Sequence, residues 1–138
     1  MRNVGESIFA EGQLRKLAAE WSARVSRTVE DGPALLGKGY VEVRYEDLLE
    51  KPKEEVRRLL EFLGAEASEK TVKMCVNSAS FERLSKGRKR GQEDATSFFR
   101  KGVAGDWRNV FTEQDRLLFK KEAGVLLIEL GYEKDDSW

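Results

Sequence analysis

The chain has 138 residues, 40% of them hydrophobic, which allows one modest core and fits a single domain or part of a larger one. Its 25 Lys and Arg balance 25 Asp and Glu, so a generally basic nucleic-acid binder is not indicated, and the lack of histidine removes imidazole as catalytic base, pH switch or metal ligand. A lone Cys75 excludes an internal disulfide, no thiolate or carboxylate cluster has metal-site spacing, and "MRNVGESIFAEG" lacks the apolar run of a signal peptide or membrane span, so a reducing, soluble, cytoplasmic setting is expected.

Leu14, Leu17, Ala18, Trp21, Val25 and Val29 recur at three- and four-residue intervals, which predicts a helix over about 11–30 that stops at "DGP". After a glycine-rich loop, "YVEVRYEDLL" alternates Val41, Val43 and Tyr45 with Glu42 and Arg44, the pattern of a strand over 41–45. Pro52 suits the first turn of a second helix, whose stripe of Val56, Leu59, Leu60 and Leu63 ends at Gly64. Ser68 opens a third helix running to about Asn77. "SKGRKRGQEDATS", residues 85–97, lacks large apolar side chains and reads as a mobile, solvated loop. Thr112, with Asp115 three residues on, caps a last helix whose buried stripe is Phe119, Ala123, Leu126, Leu127 and Leu130, before Gly131. One strand cannot satisfy its own backbone, so its partners are expected in another chain or in a missing first half of an α/β fold.

Charge is unevenly placed. Arg83, Lys86, Arg88, Lys89, Arg90, Arg100, Lys101 and Arg108 face only Glu93, Asp94 and Asp106 over 83–108, while the segment after Phe111 is net acidic. In "SFFRKGVAGDWRNVF" the adjacent Arg100 and Lys101 precede Gly102. A guanidinium offers a planar fork of donors, and a glycine lets backbone approach a ligand closely, so the three make an anion grip. The competing reading of the same residues is a basic surface turn anchored by Trp107. "GRKRG" reads either as a solvated loop or as an RNA or phosphoinositide contact, but no aromatic residue interleaves it and nucleic acid is not the expected partner.

"RKGVAGDWRNVFT" resembles the RKGxxGDWxxxFT signature of sulfotransferases that use 3′-phosphoadenosine 5′-phosphosulfate (PAPS). "VRYEDLLEKPKEEVRRLLEFLG" is similar to the family's YEDL strand-to-helix region, "SASFERL" to its adenine-side loop, and the resemblance runs from about Leu17 to Tyr132. It implies a nucleotide partner, with PAPS as sulfuryl donor and 3′,5′-diphosphoadenosine (PAP) as product. It also implies roles: Arg100, Lys101 and Gly102 on the 3′-phosphate, Tyr45 reaching the adenine, and Phe81 lying against the base. Ala79 stands where many relatives have a threonine, which passes the adenine contact to Ser80 or Ser78. Asp106 and Trp107 read as structural, bonding a turn and burying the base of the loop.

The resemblance implies an α/β, P-loop-type sulfotransferase fold of which residues 1–138 form the carboxy-terminal part, mostly helical with the one strand. The family's phosphate-cradling loop resembling KSGTTW and its catalytic histidine or carboxylate have no counterpart in these residues, so no catalytic residue is assigned and the isolated chain is expected to turn over poorly. The alternative is a truncated, non-catalytic nucleotide-binding or protein-interaction module whose exposed sheet edge pairs with a partner or with a second copy as a homo-oligomer.

Overall fold

The apolar repeat that begins at Leu14 folds as helix α1, Gln13–Leu36, in a computed structural model that describes Ser7, Phe9 and residues 12–138. "DGP" does not stop α1. Pro33 lies inside the helix and forfeits only one ladder donor near its end, while the Gly37 N–H returns to the Pro33 carbonyl. Gly32 has a tertiary reason to be glycine, because a Cβ there would fall 2.3 Å from the Tyr40 ring. The aromatic ring packs directly on helix backbone, a contact invisible to local pattern.

The chain divides into two compact units, one holding the described residues up to Tyr40 with Asp106–Trp138, the other Val41–Gly105. In the first, Leu14 and Ala18 of α1 are buried with Ala123 and Leu126 of α6, Glu113–Glu129. Trp21 meets Phe119 at 6.2 Å between ring centroids, and Arg15 Nε donates to Glu122 Oε1 at 2.7 Å across the same helix pair. Leu17, expected in the buried stripe, is 47% exposed. Trp107, in a short 3₁₀ turn at Asp106–Asn109, packs edge-on against Phe111 and Trp138, each at 5.7 Å.

The start of α6 follows the sequence closely. Thr112 Oγ1 accepts from the Asp115 N–H at 3.1 Å, and the Asp115 carboxylate accepts from the Thr112 N–H at 2.9 Å and from Ser7 Oγ at 2.7 Å. Burial alone would push the Asp115 carboxyl up, but the bonds from Ser7 and Thr112 prevail and hold it below the ordinary value of 3.8.

In the second unit the expected strand at 41–45 is not formed, and no strand occurs among the described residues. Residues 41–44 lie outside any helix or strand, Arg44 being extended with φ −92° and ψ 135°, and the Glu42 carbonyl accepts from Arg58 Nη2 at 2.7 Å. Tyr45 begins helix α2, Tyr45–Glu50. The sheet edge proposed for partner or self-pairing is lost with the strand.

Helices α3, Pro52–Phe62, and α4, Glu69–Ser78, fall where proline, Gly64 and Ser68 place them. Gly64 N–H bonds the Glu61 carbonyl and Ala65 N–H the Leu60 carbonyl, closing α3, while Ser68 Oγ caps α4 by accepting from the Thr71 N–H. Arg57 Nη2 reaches Glu69 Oε2 at 2.8 Å and ties the two helices together. A one-turn helix not foreseen in the sequence, α5 at Phe81–Leu84, follows α4. Among the described residues no helix is long and apolar enough to cross a membrane.

Candidate functional site

The second unit carries a long irregular segment between α5 and Gly105, and one arginine organises it. Arg88 Nη1 donates to the carbonyls of Gln92 and Arg100, both at 3.0 Å. Its Nη2 donates to Ser97 Oγ at 2.9 Å and to the Phe99 carbonyl at 2.6 Å. Two cross-links run along the backbone beside it, from Asp94 N–H to the Arg100 carbonyl and from Gly91 N–H to the Lys101 carbonyl, both at 2.9 Å. Residues 85–97, expected to form a loop without internal order, are therefore stitched to 99–101. The composition offered no hint of this, since a lone arginine in a basic stretch looks like solvated charge.

The cations of "GRKRG" take part in the same network. Arg88 points its guanidinium at backbone carbonyls, and Arg90 Nη1 donates to the Leu49 carbonyl of α2 at 3.0 Å. Two of the three cations that might have met RNA or a phosphoinositide are spent on the protein's own backbone.

Arg100, Lys101 and Gly102 emerge from this scaffold together. Arg100 Nη1 pairs with Glu93 Oε1, and Lys101 Nζ lies 3.7 Å from Glu93 Oε2. The two cations thus converge on one carboxylate. Gly102 has φ +67°, and a Cβ built on it would stand 2.3 Å from the Phe81 ring. Only glycine fits here, because the backbone both adopts the left-handed region and rests directly on an aromatic face.

Phe81, 9% exposed, has the Arg88 guanidinium 5.5 Å from its ring centroid as well as Gly102 against it. It is the floor of the grip. Ser80 Oγ donates to the Asn77 carbonyl at 2.9 Å and accepts from the Arg83 N–H at 3.4 Å, capping α5. Tyr45 stands 52% exposed at the first position of α2. Among the described residues no hydrogen bond or ring pairing joins Tyr45 to the grip, although α2 is linked to the basic loop through Arg90 and Leu49. Phe98, not singled out in the sequence, is 94% exposed and sits edge-on to Phe99 at 5.2 Å, two positions before Arg100. An aromatic pair preceding the grip was the available signal.

Two cations and a bare stretch of backbone resting on an aromatic ring thus stand together, an arrangement that can accept a compact anion. The family model described as "Sulfotransferase domain" matches residues 15–124, and the chain belongs to that family. It is similar to bovine (Bos taurus) sulfotransferase 1A1, 35% identical over 97 residues that cover 60% of this chain and 33% of the bovine protein. Sulfotransferase 1C2 of Rattus norvegicus is 29% identical over 109 residues (63% of this chain, 37% of the rat protein), and sulfotransferase 1B1 of Canis lupus familiaris is 32% identical over 91 (56% and 31%). The chain spans roughly a third of the length of these curated relatives.

Proposed function

We propose that residues 1–138 form the carboxy-terminal, donor-binding part of a PAPS-dependent sulfotransferase of α/β type, with Arg100, Lys101 and Gly102 holding the 3′-phosphate. One observation carries this reading: Arg100 and Lys101 already share the two oxygens of a single carboxylate, so the pair can also share a phosphate. Gly102 supports it, since the backbone lies bare where a ligand has to come close.

The base is held by the surroundings of the grip. Phe81 lies against the base while also supporting Gly102, and the exposed Phe98 ring, two positions before Arg100 in sequence, offers a further flat apolar surface. Ser80 has committed its proton to Asn77, so toward adenine it can only accept, which suits the exocyclic amino group. Tyr45, with half its surface exposed, contributes a hydroxyl that can donate or accept. PAPS, when bound, supplies a sulfuryl group on a phosphate leaving group; the residues of this chain neutralise and orient the opposite end of the nucleotide. The cradle for the phosphosulfate, the general base and the acceptor pocket then come from polypeptide beyond these residues.

Titration of the 138-residue chain with PAP and with 5′-AMP, followed by NMR or calorimetry, tests the proposal. PAP is expected to bind more tightly, with shifts at 98–102. Equal affinity for the two nucleotides would sink it.

A further inference from the structure

Glu93 has a place that its neighbours fix. The Gln92 carbonyl is held by Arg88, and the Asp94 N–H is bonded to the Arg100 carbonyl, so the residue is anchored on both sides opposite the grip. Its carboxylate bridges the grip with one oxygen on Arg100 Nη1 and the other toward Lys101 Nζ. Asp94, by contrast, turns its carboxylate to the Thr96 N–H and hydroxyl, at 3.0 and 2.7 Å.

We propose that Glu93 is an affinity-setting residue of the anion site: an internal carboxylate that occupies the cation pair and has to be displaced by the 3′-phosphate. The inference rests on the donor-binding reading above. A phosphate monoester carries nearly two negative charges at neutral pH against one on Glu93, so the ligand wins the exchange but loses part of its binding free energy to it. The effect is the same for donor and product, so Glu93 weakens the hold on PAP as well as on PAPS and favours product release. Glu93 is 44% exposed at its side chain, and pairs of this kind contribute modestly, so the predicted effect is severalfold rather than orders of magnitude.

The test compares four proteins, each titrated with PAP and with 5′-AMP. Glu93→Gln is expected to bind PAP about two- to tenfold more tightly than wild type and 5′-AMP unchanged. Glu93→Asp, which keeps the charge on a shorter arm, should fall between. Asp94→Asn removes the same charge one residue away and should give little gain. A gain cannot come from a damaged loop, so the result separates competition from misfolding. If wild type prefers PAP but Glu93→Gln binds it no better, or if Asp94→Asn gains as much, the inference fails and the donor-binding reading stands. If wild type shows no preference for PAP, the reading fails and takes the inference with it.

Discussion

Arg88 and Arg100 are separated by 12 positions and use the same side chain in opposite ways. Arg88 gives its donors to backbone carbonyls, while Arg100 pairs with the side-chain carboxylate of Glu93. The second use makes Arg100 the sharper probe. Arg100→Ala should weaken PAP binding by about ten- to a hundredfold with little change for 5′-AMP, and Arg100→Lys, which keeps charge without the planar fork, should recover only part of the loss. Equal losses for both nucleotides would reassign Arg100 to the fold of the loop. Phe98→Ala is expected to give the complementary pattern, lowering both affinities alike, because its proposed contact is with the base and not the 3′-phosphate. Gly102→Ala is expected to abolish both and to cost at least about 1 kcal/mol in stability, since the methyl meets the Phe81 ring in a disfavoured backbone region. Thermal melts alongside the titrations check that cost.

At the scale of elements, the 85–101 segment shows how one side chain substitutes for secondary structure. Arg88→Lys keeps one cation but cannot span Gln92, Ser97, Phe99 and Arg100 together. Trypsin should therefore cut the basic loop faster in Arg88→Lys than in wild type, while helical circular dichroism is nearly unchanged; equal cleavage rates would show that the bonds do not order the loop. Helix α6 offers a pH-dependent test. Asp115 has a folded-state pKa below its ordinary value, so its contribution to stability is complete above about 3.8 and is lost as pH falls through the lower folded value. Asp115→Asn should then be less stable than wild type at neutral pH by about 1 kcal/mol, the size of a lost helix cap, and the gap in urea midpoints should close on acidification. A gap that persists at pH 2 would mean the amide fails for reasons of shape rather than charge.

At the scale of the whole molecule, the proposal makes nucleotide binding and turnover separable: the 138-residue chain should bind PAP yet show no sulfation of phenol, alcohol or amine acceptors with PAPS. Donor-dependent sulfation that Arg100→Ala removes would overturn that separation. Much of this molecule is legible in its residues, because helix caps and breakers act locally. Pro52 and Gly64 bound α3, and Ser68 and Thr112 open α4 and α6. The failures came where the deciding partner is distant in sequence. The Tyr40 ring rests on Gly32 inside α1, where the local pattern reads a stop, and 41–44 is not a strand because a strand is defined by a neighbour and Glu42 meets Arg58 instead. Which charges bond backbone and which meet another side chain was likewise decided by tertiary structure. Sequence fixes how many cations a loop carries, but only folding decides that Arg88 faces carbonyls while Arg100 and Lys101 face the Glu93 carboxylate, because that depends on which backbone groups the turns leave without a partner.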